Sequence, residues 1–295
     1  MTVAVSKAVE QRVSTLICAS TGNTSASAAA YAARAGLRCF VILPAEKIAS
    51  GKLTQAMAYG ARIILVQGNF DQALRLVRLA GQRVSFAIVN SVNPDRIEGQ
   101  KTAAFEIVDQ LGVAPDLHLL PVGNGGNITA YWAGYSQYRA AGRIFSTPRL
   151  IGFQAEGAAP IFRKEVVTQP ETIATAIRIG NPANWSHATR ALEGSGGLID
   201  IVSDEEIVAA QLWLARNEGI FVEPASAAPI AGLRRAAKGG AHFTAASIAP
   251  GSRIVCTVTG HGLKDPEMIS ERVNLPAPIA PNENELFRLL DSSRS

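Results

Sequence analysis

Val13-Ser14-Thr15-Leu16-Ile17-Cys18-Ala19, then Ser20-Thr21-Gly22-Asn23-Thr24-Ser25, then Ala26-Ser27-Ala28-Ala29-Ala30 reads as strand, loop and helix in immediate succession. The first run is apolar and β-branched, and the last is rich in the best helix former. Between them lies a loop of small hydroxyl and amide residues. The same succession recurs along the chain, with further strand candidates at residues 37–43, 61–66, 85–89, 116–122, 149–153 and 253–258. Their near-continuous apolar character suits strands covered on both faces, as in a parallel sheet flanked by helices. Ala104, Ile107, Val108 and Leu111 fall on one helical face, and Ser203 with Glu206 has the spacing of a capping box. The expectation is an α/β protein of mostly parallel sheets with helices on both faces.

The chain has 295 residues, 47% of them hydrophobic and 18% charged, enough to build a large core or two adjacent ones. That composition excludes a disordered, collagen-like or heptad-coil chain. Lys7, Glu10 and Arg12 interrupt the start, where a signal peptide requires an unbroken apolar stretch. With no apolar run of bilayer length, the chain reads as cytoplasmic with no membrane partner. The net charge of +4 is 28 basic minus 24 acidic residues, and the basic residues are dispersed, so no nucleic-acid partner is expected. Cys18, Cys39 and Cys256 are odd in number and far apart, which supports neither a disulfide framework nor a metal site. Residues 275–281 hold three prolines and read as a linker to a short amphipathic helix around residues 283–290.

Three loops have the character of anion cradles. Residues 20–25 stand at a helix start, where unpaired N–H groups and the positive dipole end attract anions, although the same residues also make an ordinary cap. Gly123-Asn124-Gly125-Gly126-Asn127 again joins a strand to a helix. Its glycines let backbone N–H groups wrap a phosphate without obstruction, and it matches neither the dinucleotide fingerprint nor the P-loop. Thr257-Val258-Thr259-Gly260-His261-Gly262 closes the last strand, where Thr259 can meet a ring nitrogen of a ligand. His261, set between two glycines, reads better as a turn residue than as a catalyst. Asn90, Ser91 and Arg96 together supply neutral donors and a fork-shaped cation suited to phosphate or carboxylate, or equally a solvated helix start.

Together these motifs resemble threonine synthase, a pyridoxal-phosphate enzyme of the tryptophan-synthase-β-like fold (fold type II). The resemblance runs from Met1 to about Asp265 and includes Cys18-Ala19-Ser20-Thr21-Gly22-Asn23-Thr24-Ser25, Glu98-Gly99-Gln100-Lys101-Thr102, the Gly123 to Asn127 loop, Gln154-Ala155-Glu156-Gly157, Ala174-Thr175-Ala176-Ile177-Arg178, Glu223-Pro224-Ala225-Ser226-Ala227 and Thr259-Gly260-His261-Gly262. It implies a two-lobed architecture, with a smaller N-terminal lobe over residues 1–112. A large cofactor-binding lobe then covers residues 113–295, its tail beginning near 270. It also implies pyridoxal 5'-phosphate as cofactor and conversion of O-phosphohomoserine and water to threonine and phosphate, by an enzyme that is homodimeric in its full-length family. By position, Asn23 would hydrogen-bond the cofactor's phenolic oxygen. Gly123, Asn124, Gly125, Gly126 and Asn127 would hold its phosphate, and Thr259 would face its pyridine nitrogen. Ser20, Thr21, Thr24, Asn90, Ser91, Arg96 and Asn124 would surround the substrate.

In the family the Schiff-base lysine lies in a Ser-Phe-Lys-Asp-Arg-Gly segment, and Met1 aligns with the methionine directly after it. The resemblance therefore implies an N-terminally truncated chain with no catalytic lysine of its own, inactive as it stands. Lys7 would lie farther along the same helix, more than a turn below the site, and Lys52 and Lys101 align with other family positions, so none is expected to substitute. Two alternatives stand beside this reading: a threonine dehydratase-like lyase, and a non-catalytic protein that binds pyridoxal phosphate or another anion.

Overall fold

The computed structural model describes residues 1–20, 22–45, 50–67, 70–82, 86–240, 242–266, 277–279, 281 and 283–292. The chain divides into a unit of Met1–Asp265 and a unit of Pro266–Ser295. The first contains two four-stranded sheets, and every strand pairing within them is parallel.

The first sheet is built from β1 (Thr15–Ala19), β2 (Arg38–Pro44), β3 (Arg62–Val66) and β4 (Phe86–Ile88), in the order β3-β2-β1-β4. Alternation along β1 divides its side chains between two cores. Leu16 and Cys18 face α1 (Thr2–Glu10), α2 (Asn23–Ala35) and α3 (Ser50–Ala58), while Ile17 and Ala19 face Ala73 and Val77 of α4 (Phe70–Ala80). Alanines 28, 29 and 32 are fully covered and let α2 lie close on the sheet. The strands expected at residues 13–19, 37–43, 61–66 and 85–89 are all present, but β3 differs in character. It lies at one edge of the sheet, with Ile64 and Leu65 exposed, so its apolar run is not covered on both faces.

Two short helices, α5 (Pro94–Gln100) and α6 (Thr102–Leu111), lead into the second sheet. It comprises β5 (Leu117–Pro121), β6 (Arg149–Ala155), β7 (Leu198–Val202) and β8 (Ile254–Cys256), in the order β7-β6-β5-β8. One face packs on α6, α7 (Gly126–Ala140) and α9 (Trp185–Ser195). The other packs on α10 (Asp204–Trp213) and α11 (Pro224–Ala236), and α8 (Pro160–Arg163) follows β6 in sequence. The capping box at α10 forms as expected: Glu206 N donates to Ser203 Oγ at 3.2 Å, and Ser203 N donates to Glu206 Oε2 at 2.9 Å. Strand β7 lies outside the expected set. Asp200 interrupts its apolar run, yet that carboxylate is buried and accepts from Arg235 Nη2 at 2.7 Å and Phe243 N at 3.0 Å.

In the second unit a helix spans Glu283–Ser292, close to the expected 283–290, with Leu286, Phe287, Leu289 and Leu290 exposed. Of the expected linker, residues 275, 276 and 280 lie outside the described residues. No helix among the described residues is long and apolar enough to cross a membrane.

Candidate active site

In a parallel sheet the loops that follow the carboxyl ends of the strands gather on one side, where ligands of open α/β sheets bind. Four such loops carry the residues singled out above: those after β1, β4, β5 and β8.

The loop after β5 is held open from outside. A methyl group at Gly123 would lie 3.0 Å from Ile177 Cα, and one at Gly125 would lie 3.0 Å from Ala188 Cβ. Gly125 also has φ +76°, a left-handed conformation that side-chain-bearing residues rarely adopt. Asn127 ties the loop to its strand, its Nδ2 donating to Pro121 O at 2.6 Å while its Oδ1 accepts from Ile128 N at 2.8 Å. Among the described residues, the N–H groups of residues 123–127 have no hydrogen-bond partner. Backbone donors left unpaired at the start of a 15-residue helix, behind glycines with no space for a side chain, make a cradle suited to a phosphate group.

The loops after β4 and β5 are joined through Asn184, which is buried. Its N–H donates to Asn124 O at 3.0 Å and its Nδ2 to Ser91 O at 3.3 Å. Asn124 Oδ1 in turn accepts from Ala183 N at 3.2 Å. Asn90 is buried and works largely as a brace: its Oδ1 accepts from Ala19 N at 3.0 Å and its Nδ2 donates to Ala19 O at 2.7 Å. These bonds extend the β1–β4 pairing by one side-chain rung and leave a second N–H on Nδ2.

Arg96, on α5, is a poorly satisfied cation at this site. Its Nη1 makes a long contact of 3.4 Å to Val89 O and its buried Nε has no partner, and among the described residues it forms no ion pair. Burial lowers its pKa, and it helps to lower that of the Met1 amine, whose own burial is the larger cause. A partly buried guanidinium without an anion is costly, and a phosphate or carboxylate ligand would relieve that cost.

The loops after β1 and β8 meet over α11. Asn23 Nδ2 donates to both oxygens of the buried Glu223 carboxylate, at 2.9 and 3.1 Å. Glu223 N donates to Gly260 O at 2.9 Å, and Thr259 N donates to Ser226 Oγ. The Thr259 side chain belongs to an exposed residue at the mouth of this arrangement. Ser20 Oγ accepts from Gly22 N at 3.2 Å, Thr24 sits half-buried in the first turn of α2, and Thr21 lies outside the described residues. His261 takes the turn role: its Nδ1 accepts from Leu263 N at 3.1 Å, capping a 3-10 turn. Lys7 and Lys101 pair with Glu10 and Glu98, their neighbours one helical turn away.

Beneath these loops lies a buried polar group that sequence reasoning did not single out. His118 on β5 has its Nε2 2.6 Å from Thr257 Oγ1 and its Nδ1 3.0 Å from Tyr135 OH, and its ring stacks on Tyr131. Burial pushes its pKa down to about 3. The signal was a lone histidine in an apolar strand, which by itself says nothing of partners. Asn184 was missed for a comparable reason, since its role depends on two loops distant in sequence.

A crowded glycine loop with unpaired amides, beside parallel strand ends and a half-buried arginine, suits a phosphorylated cofactor. Residues 1–260 match the family described as "Pyridoxal-phosphate dependent enzyme", and the chain belongs to this class of enzymes. The threonine synthase of Halalkalibacterium halodurans is 54% identical over 97% of this chain and 79% of its own length. That of Mycobacterium tuberculosis is 57% identical over 95% and 76%, and that of Methanocaldococcus jannaschii 51% identical over 98% and 72%. Within the class, the chain is therefore a member of the threonine synthase family. The fold is also shared with maize serine racemase, at TM-score 0.74 and 18% identity over 99% of this chain and 83% of that one. The processed form of threonine deaminase isoform 2 from Solanum lycopersicum matches at TM-score 0.72 and 20% identity over 90% and 72%.

Proposed function

We propose that the site is built for the conversion of O-phosphohomoserine and water to threonine and phosphate, with pyridoxal 5'-phosphate held among residues 23, 123–127 and 259, and that no lysine of this sequence takes the Schiff-base role, so that it is inactive as it stands. When bound, pyridoxal phosphate supplies the electron sink for negative charge developing on the substrate carbons. The amides of Gly123, Asn124, Gly125, Gly126 and Asn127 hold its phosphate. Asn23 donates an amide N–H to its phenolic oxygen. Thr259 offers a neutral hydroxyl to its pyridine nitrogen, which leaves that nitrogen less firmly protonated than a carboxylate would. Ser20, Thr21, Thr24, Ser91, Arg96 and Asn124 receive the substrate's carboxylate and phosphate, and Asn90 contributes its remaining amide N–H while bracing β1. We assign residues 1–112 to a smaller lobe that presents the substrate contacts, and residues 113 onward to the lobe that holds the cofactor. In this reading the working enzyme is a homodimer in the cytoplasm.

The observation that carries the choice of a phosphorylated substrate is Arg96, a half-buried cation with a buried, unpartnered Nε and no ion pair among the described residues, in addition to the separate amide cradle. One anion site serves the cofactor and the second serves the substrate. The test is calorimetric binding to the chain loaded with pyridoxal phosphate. O-phosphohomoserine is expected to bind at least about tenfold more tightly than L-threonine, as one charge-assisted contact allows. The reverse order would favour a threonine dehydratase-like activity.

A further inference from the structure

The Glu223-Pro224-Ala225-Ser226 turn touches two different site loops, and none of the roles assigned above uses it. Glu223 occupies the N-cap position of α11, where the helix dipole favours a negative charge. Its carboxylate is buried and grips the amide nitrogen of Asn23, 200 residues away in sequence, at 2.9 and 3.1 Å. Its backbone N–H holds Gly260 O at 2.9 Å. The carboxylate lies so close to the Gly260 backbone that a methyl group there would come within 2.2 Å of Glu223 Oε1. Three residues on, Ser226 Oγ accepts from the N–H of Thr259. The first turn of α11 thus fastens both Asn23 and the chain at Thr259.

An asparagine amide can present either oxygen or nitrogen to a ligand, and the two ends have opposite hydrogen-bonding character. A carboxylate accepts only from the nitrogen end, so Glu223 determines which end is which. Nδ2 carries two N–H groups, so one can serve Glu223 while the other serves a ligand.

We propose that Glu223 is a positioning residue for the cofactor: it locks the Asn23 amide with its nitrogen toward the phenolic oxygen of pyridoxal phosphate, while the same helical turn holds Thr259 at the ring's other polar atom. This rests on the reading that Asn23 faces that oxygen, and the experiment separates the two claims. Pyridoxal phosphate affinity is measured by fluorescence titration for the parent chain, Asn23→Ala, Glu223→Ala and the double variant, with thermal melts confirming that each is folded.

Each single change is expected to weaken binding about tenfold. The double variant should also lose about tenfold, because Glu223 has nothing to orient once Asn23 is gone. Both single variants should move the absorbance maximum of the bound cofactor in the same direction, a change that a purely structural glutamate would not produce. Glu223→Gln, whose amide oxygen can still accept from Asn23, should restore affinity to within about threefold. Glu223→Asp, with the carboxylate drawn back by one methylene, replaces Glu223→Ala in the comparison if the latter does not fold. Losses that multiply to about a hundredfold in the double variant would overturn the positioning role while leaving Asn23 at the cofactor. No loss in Asn23→Ala would instead overturn the reading of Asn23 itself, and the proposal with it.

Discussion

His118 Nε2, on the inner strand β5, lies 2.6 Å from the Oγ1 of Thr257, two residues before the threonine assigned to the cofactor ring. Tyr135 OH lies on the other ring nitrogen at 3.0 Å, so both nitrogens are satisfied by hydroxyls rather than by a carboxylate that would welcome an imidazolium.

Burial makes the folded chain resist protonating His118, whose pKa falls to about 3, while the unfolded chain protonates it near the ordinary value of about 6.5. Between those values the unfolded state binds more protons than the folded one. Stability therefore rises with pH there, and this contribution is lost as pH falls below about 6.5, by about 1.4 kcal/mol per pH unit. His118→Gln keeps a donor and an acceptor but cannot take up a proton. Urea melts from pH 7 to pH 4 should show a shallower decline for the variant, and identical slopes would remove His118 from the account.

Gly125 should be less replaceable than another glycine of similar backbone. Both Gly125 and Gly142 have positive φ, +76° and +66°, but a methyl group at Gly142 meets open space. Changing either to Ala should cost about 1–2 kcal/mol through the left-handed backbone. Gly125→Ala should in addition weaken pyridoxal phosphate binding about tenfold or more, since it also disturbs the cradle amides. Equal cofactor affinity in the two variants would mean that residues 123–127 do not hold the phosphate.

Arg235 should be worth more to the fold than its half-buried position suggests. Its Nη2 is 2.7 Å from the Asp200 carboxylate, whose side chain has 0% exposure. Arg235→Ala leaves that charge with backbone donors alone, a loss expected at about 3 kcal/mol. A thermal or urea melt showing less than about 1 kcal/mol would place the pair among surface ion pairs.

For Arg96→Ala, the expected effect is selective. Affinity for O-phosphohomoserine should fall roughly 10- to 150-fold, the value of one charge-assisted contact to an anion, while pyridoxal phosphate affinity stays within about threefold. Parallel titrations of both ligands decide it, and an unchanged affinity for O-phosphohomoserine would remove Arg96 from the substrate site.

Much of this architecture was readable in the chain because its strands announce themselves locally. An apolar β-branched run, a loop of small polar residues and an Ala-rich helix identify β1 and α2 without any distant contact. Strand β7 escaped because Asp200 breaks its apolar run, and what makes that residue tolerable is Arg235, far along the chain. The exposure of β3 was hidden for a different reason: composition does not reveal which strand lies at a sheet edge. Asn23 and residues 123–127 were readable as helix-start donors, whereas Glu223 was visible only as part of a motif. Its purpose depends on meeting Asn23 and Gly260 in space. Asn90 shows the converse, a residue that reads as a ligand donor and spends most of its amide on Ala19.

The central claim is that the unpaired amides of residues 123–127 receive the phosphate of pyridoxal 5'-phosphate. The most direct test is to titrate the chain in parallel with pyridoxal 5'-phosphate and with pyridoxal, which carries the same ring and no phosphate. Pyridoxal 5'-phosphate should bind at least about tenfold more tightly, the value of one or two charge-assisted hydrogen bonds, and inorganic phosphate should compete with it. Equal affinity for the two, with no competition by phosphate, would contradict the account.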